Sequence, residues 1–269
     1  MDNGKHSTFG RTGLTIARLG ISASYGADAR SVEMAFEHGV NYFYWGTIRR
    51  PSFGDGLRSL APKRDRFTLV LQSYSRLAWQ LTRRLESGLR KLRMDYADVL
   101  LLGMWNKPVS PAILERARQL REQGLVRRLA VSTHNRVLGA AFASSGDFDI
   151  VHVRYNAVHT GAERDFFPAL PPPAQRAGVV VFTATSWRQL LSGSKLPPGE
   201  RVPTAADCYR FVLSHPAVDV CMTGPANPAQ FQEALDAWER GPMQADELAW
   251  MRRVGEALYL KRSRFDPRG

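Results

Sequence analysis

Apolar residues along the chain fall into two alternating kinds of segment. Short runs, ARLGIS, VNYFYW, FTLVLQ, DVLLLG, RRLAVS, DIVHVRY, GVVVFTA and VDVCMTG, are continuous or nearly so. Between them lie longer stretches such as SRLAWQLTRRLESGLRKL and PAILERARQLREQG, in which apolar residues recur every three or four positions. The first kind predicts strands buried on both faces, and the second predicts helices with one apolar stripe. Eight strands alternating with helices predict an α/β protein, and a closed (β/α)8 TIM barrel suits the count better than an open sheet. A short N-terminal β-hairpin and a C-terminal helix complete the expected fold. Gly39, Gly124 and Gly178 each stand between a helix and the next strand, where a left-handed cap is expected. The prolines at 171–173 are expected to end or kink a helix, and nothing divides the chain, so residues 1–269 are read as a single barrel domain.

Composition narrows the class. No apolar run reaches the roughly 18 residues of a membrane span, and the first twenty residues lack the apolar centre of a signal peptide. Cys208 and Cys221 have neither metal-ligand nor redox-motif spacing, so a reducing cytoplasm is the default expectation. Lys and Arg number 37 against 25 Asp and Glu, a net charge of +12. The basic residues, Arg83, Arg84, Arg90, Lys91, Arg116, Arg118 and Arg121 among them, recur along amphipathic segments without interleaved aromatics. They read as solvated helix faces, and neither a nucleic-acid nor a membrane partner is expected.

Six segments in register carry a resemblance: FGRTGLTIARLG at 9–20, GVNYF at 39–43, SGLRKLRMDYADVLLL at 87–102, LREQGLVRRLAVS at 120–132, VRYNAVH at 153–159 and TGPANPAQFQEAL at 223–235. Together they resemble the aldo-keto reductase superfamily. The resemblance implies a barrel that holds an extended nicotinamide dinucleotide at the C-terminal ends of its strands, without a Rossmann fold. It also implies carbonyl reduction, in which a tyrosine hydroxyl supplies the proton, a lysine paired with an aspartate lowers that tyrosine's pKa, and a histidine polarises the carbonyl.

Carried over position by position, none of these four groups is found. The aspartate position holds Tyr44. The tyrosine position holds Phe53 before Gly54, or Arg49 if the loop aligns without insertion. The lysine position holds Gln72, or Ser73 one residue on, and the histidine position holds Gly103. Within GVNYFYWGTIRRPSFGDGL the usual chemistry is therefore replaced. Two readings of the replacement stand: a mouth reshaped to stack a planar ligand on Tyr44 and Trp45 in the space left by Gly103, or aromatics that plug the barrel. Trp45, Phe53, Gln72, Gly103 and Trp105 are the expected substrate pocket. Tyr44 is the candidate acid, with Arg49 or Arg50 lowering its pKa, and His134 is a second acid-base candidate.

The cofactor side of the resemblance is better kept. Ser132 and Thr133 match the pair that holds the nicotinamide carboxamide, His152 replaces a glutamine, and Phe182 takes the position of the aromatic that stacks on the ring. Thr223, Gly224, Asn227, Gln230 and Glu233 are expected at the phosphates and adenosine, where free backbone N–H groups at a helix start favour anions. GPANPAQ contains no cation for a 2′-phosphate and Ala234 replaces an asparagine, so NADP and NAD both remain open. His134, His152 and His159 fall near strand ends, but the nearest acid, Glu163, lies in a helical stretch, and no metal is expected. Two functions follow. One is a divergent NAD(P)H-dependent oxidoreductase, or a redox-neutral enzyme in the same pocket, acting on a small molecule. The other is a non-catalytic barrel that binds nucleotide or a protein partner.

Overall fold

The computed structural model describes residues 4–46, 49–196 and 198–263. Strands β1 (His6–Thr8) and β2 (Thr15–Ala17) pair antiparallel as the expected hairpin. The eight apolar runs form β3 (Leu19–Ser22), β4 (Tyr42–Trp45), β5 (Thr68–Ser73), β6 (Ala97–Leu102), β7 (Val126–Thr133), β8 (Ile150–Arg154), β9 (Gly178–Phe182) and β10 (Val220–Thr223). They are parallel neighbours in chain order, and β10 returns to β3 to close the barrel. Helices α1 (Ala29–Glu37), α2 (Pro51–Ser59), α3 (Ala78–Leu92), α4 (Pro111–Glu122), α5 (Arg136–Ser144), α6 (Ala162–Asp165), α7 (Ala205–Leu213) and α8 (Pro228–Arg240) follow the strands, and α9 (Ala245–Ser263) is the C-terminal helix. Among the described residues no helix is long and apolar enough to cross a membrane.

Strand alternation sorts the core into two parts. Tyr42, Val70, Val99, Leu101, Ala130, Ile150, Val180 and Val220 fill the barrel, and Phe9 and Ile16 of the hairpin close it from below. Their chain neighbours Phe43, Leu69, Leu71, Leu100, Leu129, Val131, Val151 and Val179 pack outward under the helices. The period of two dictates this: each inward residue sends the next one outward.

The N-terminal rim carries a repeated device. Asn41, Asp98, Asp149 and Asp219 stand at the starts of alternate strands β4, β6, β8 and β10. Each accepts a 2.7–2.8 Å hydrogen bond from a backbone N–H of the preceding strand segment, at Ala17, Leu69, Leu129 and Val179 respectively. These polar side chains terminate the strand ladder where no further strand residue can. Asp219 also holds Arg176, which is 2% exposed, through bonds of 2.7 and 3.2 Å.

Three local expectations change. Gly39 and Gly124 have φ of 84° and 77°, as a left-handed cap requires, whereas Gly178 does not; it begins β9, and a Cβ there would collide with the Phe9 ring. Phe53 lies in helix α2, started by Pro51, and not in a loop. The prolines at 171–173 leave only the four-residue α6 and short 3-10 turns between β8 and β9, because each ring removes an N–H and fixes φ.

Candidate functional site

The C-terminal ends of the strands open into a cleft of about 770 Å³. Inward positions make its floor: Tyr44, Gln72, Leu101, Ser132, His152 and Met222. Its wall rises through Phe182, Thr223 and Gly224, and it runs past Thr204 to Gln230 and Glu233 on α8. Tyr44, Gln72, Ser132, His152 and Phe182 thus share one end of one barrel.

Two hydrogen-bonded pairs define the floor. The Tyr42 hydroxyl lies 2.9 Å from His152 Nε2 in a fully buried setting. Burial pushes the Tyr42 phenol well above its usual range and holds the His152 imidazole down to about 3, so both are neutral at physiological pH. Beside them the Tyr44 hydroxyl donates to Gln72 Oε1. Burial raises the Tyr44 pKa, and the neighbouring phenols of Tyr74 and Tyr25 raise it further. The expectation that an arginine lowers it is corrected. Arg49 lies away from this cleft, with its guanidinium 5.5 Å from the Trp45 ring and its Nη2 donating to the Arg84 carbonyl at 2.6 Å. Arg50 is exposed and contributes its carbonyl to the Trp45 indole N–H at 3.1 Å.

The expected substrate pocket is also redrawn. Tyr44 faces inward, so Trp45 faces outward and is 2% exposed in the outer core, where Phe53 is buried too. Neither lines the cleft. Gly103 leaves no open space, because a Cβ there would come within 2.5 Å of the Tyr74 ring and 2.6 Å of Gln72 Nε2. Trp105 is covered by the Arg76 guanidinium at 4.0 Å and stays outside the cleft. Gln72 keeps its predicted place and is the side chain that meets Tyr44.

On the cofactor side, Ser132 faces the cleft and its Oγ accepts from the Met104 N–H at 2.9 Å. Thr133, the next residue, turns outward and bonds Asn106 Oδ1 at 3.1 Å. His134 lines the cleft edge-on to Phe182, with ring centres 5.5 Å apart. Burial, and then Arg154, lower its pKa, and its Nδ1 is buried without a partner. At the start of α8, Thr223, Gly224, Gln230 and Glu233 line the cleft. Asn227 caps the helix by accepting from the Gln230 N–H at 3.0 Å, and Gln230 Oε1 takes the Ala226 N–H at 2.8 Å. These donors serve the helix end, and Asn227 does not line the cleft.

Several lining residues, among them Tyr25, Tyr74 and Arg188, escaped the sequence reading. Tyr25 lies against Gly224, where a Cβ would collide with its ring, and Tyr74 lies against Gly103. Trp187 and Arg188 belong to the segment after β9, where Thr183, Ser186, Trp187 and Arg188 all have positive φ between 50° and 68°. All four residues lie just beyond C-terminal strand ends, the positions from which a barrel of this kind draws its functional groups. That rule would have found them.

No protein-family model matches the sequence, and no curated protein matches it. Among solved structures, the chain is similar to an aldo-keto reductase from Bacillus halodurans in its holo form. The TM-score is 0.76 at 20% identity, over 94% of this chain and 97% of that one. The apo form of that protein gives a TM-score of 0.73 at 20% identity, over 94% and 96% of the two chains. An aldo/keto reductase from Klebsiella pneumoniae in complex with NADP and acetate gives 0.74 at 19% identity, over 94% and 95%. Over 94% of its length the chain therefore shares one known architecture, and it has the aldo-keto reductase fold.

Proposed function

We propose that this barrel binds a nicotinamide dinucleotide along its cleft and is an oxidoreductase-type protein whose proton relay has been rebuilt. The observation that carries the reading is the continuity of the cleft from Ser132, His152 and Phe182 at the barrel centre to Thr223, Gln230 and Glu233 at its far end. Its volume of about 770 Å³ lies within the range of small-molecule sites, roughly 300–1,000 Å³. Phe182 and Trp187 supply flat apolar surface for a ring. Arg188 is the only Lys or Arg among the described lining residues and is the group assigned to the phosphates. With one such cation, discrimination between NADPH and NADH is expected to be small.

A reduced nicotinamide in this position supplies a hydride. Of the chain's own residues, Ser132 and His152 would offer polar atoms to orient it at the floor, and Phe182 would wall one side. The proton side differs from the usual relay, since the Tyr44 proton is donated to a neutral amide and its pKa is raised. A phenol in that state is a poor acid at neutral pH. This same observation favours the second reading, a dinucleotide-binding barrel without turnover.

Titration with NADPH and NADH tests the proposal through Trp187, which is 46% exposed and lines the cleft. Both are expected to quench fluorescence with affinities within about tenfold of each other, and Trp187→Phe is expected to remove most of the signal. Absence of quenching at millimolar concentration would exclude the dinucleotide site. Tyr44→Phe is expected to cost about 1 kcal/mol of stability, the value of one hydrogen bond. Dinucleotide affinity should stay nearly unchanged. A loss of turnover of about 10²-fold or more in that variant would instead identify Tyr44 as the acid.

A further inference from the structure

We propose that the face of α3 beside Arg49 is a binding site for a small, multiply phosphorylated molecule, separate from the dinucleotide cleft. A second cavity, about 520 Å³, is lined by Arg83, Arg84, Ser87 and Lys91 of α3, by Arg49 and by Gln72. The α3 residues recur at spacings of one to four along the helix and share one face. Among the described residues, four cations thus meet in one cavity and no acidic side chain lines it. Glu86, adjacent on the helix, pairs with Arg90 at 3.8 Å and stays outside the lining.

A solvated helix face accounts for Arg83, Arg84 and Lys91, which are exposed, but not for Arg49. The Arg49 guanidinium is built into place: it lies over Trp45 at 5.5 Å and donates through Nη2 to the Arg84 carbonyl at 2.6 Å. It also rests in a notch of α3 at Gly88, where a Cβ would come within 3.0 Å of its Cζ. Its Nε is buried with no partner, and burial together with Arg84 lowers its pKa. Holding a partly desolvated guanidinium with a bare Nε beside a second arginine costs free energy, and an anion in the cavity offsets that cost. One carboxylate would answer only one of four cations. A chain of phosphates presents several charges and many acceptor oxygens in a small volume, which is the match for clustered guanidinium donors. Gln72 borders both this cavity and the barrel cleft, so the two sites adjoin at the Tyr44–Gln72 pair.

Titration calorimetry of the full chain with inorganic tripolyphosphate at low salt tests the site. One molecule is expected to bind per chain, and the double variant Arg83→Gln/Arg84→Gln is expected to weaken binding by roughly 10-fold or more. Arg49→Gln is expected to weaken it comparably, with circular dichroism showing the fold retained. Arg90→Gln removes the same charge from the same helix outside the cavity and is expected to change affinity by less than about twofold. Three results would overturn the proposal: no measurable heat with tripolyphosphate, equal weakening by Arg90→Gln, or weakening by Arg188→Gln but not by the α3 double variant. The last would place the anion in the barrel cleft instead.

Discussion

Replacing Asp219 by alanine is expected to destabilise the protein by about 3–5 kcal/mol, the cost of leaving a buried charge without its partner. Arg176 is almost wholly buried, and both of its terminal nitrogens reach the Asp219 carboxylate, at 2.7 and 3.2 Å. The same carboxylate takes the Val179 N–H at 2.7 Å, so alanine also orphans a backbone donor at the start of β9. Denaturant unfolding of wild type and variant measures the difference. A double variant, Arg176→Met/Asp219→Leu, is expected to recover the part of the loss that comes from the unpaired charge, because removing both charges together removes their desolvation penalty, while the Val179 N–H stays unpaired. A loss below about 1 kcal/mol for Asp219→Ala would mean that water reaches Arg176. Asp219 lies at the N-terminal rim, away from the cleft, so ligand binding by the folded variant should be unchanged.

The second large effect is a pH dependence. His152 is buried and its pKa is held down to about 3, against 6.5 for a free imidazole. Above pH 6.5 both folded and unfolded states carry it neutral, and its contribution to stability is intact. Below 6.5 the unfolded chain takes up a proton that the folded chain cannot accept until about pH 3, so stability falls as pH falls through that window. At pH 5 the loss is about 2 kcal/mol. His152→Gln removes the titration while keeping a polar group beside Tyr42. The stability difference between wild type and this variant should therefore shift toward the variant by about 2 kcal/mol between pH 7 and 5. A difference independent of pH would show that the His152 proton equilibrium is not coupled to folding. The Tyr42–His152 pair sits under the cleft, so the same comparison is worth making with dinucleotide present.

The barrel was legible because its signal is local and repeated. Eight apolar runs, each bounded by helical periodicity, leave few ways to bury both faces of every strand, and all eight appear within a residue or two of the predicted positions. Much of the cleft floor was legible for the same reason. Tyr44, Gln72, Ser132, His152 and Phe182 lie in the C-terminal halves of their strands, and a residue placed there faces the mouth if its parity is inward. Parity also corrects the sequence reading. Trp45 and Thr133 directly follow inward residues and so face the helices; that conclusion was available from the period of two alone. Phe53 was less accessible, since it required recognising that Pro51 opens a helix inside a stretch that reads as a loop.

What the sequence alone determined is what depends on spacing along the chain: strands, helices, the hairpin, and which side chains share the barrel interior. Tertiary structure decided what depends on distances between segments far apart in sequence. Tyr74 fills the space beside Gly103, and Tyr25 covers Gly224. Asp219 finds Arg176 at the start of the neighbouring strand, and Arg49 settles into the notch at Gly88 on α3. The same limit explains the Tyr44 hydroxyl. Its chain neighbours include two arginines, which suggested a lowered pKa, but the folded chain turns both away and gives the phenol a buried amide as partner. A pKa is set by the charges and solvent within a few ångströms, and those neighbours are chosen by packing, not by adjacency in sequence.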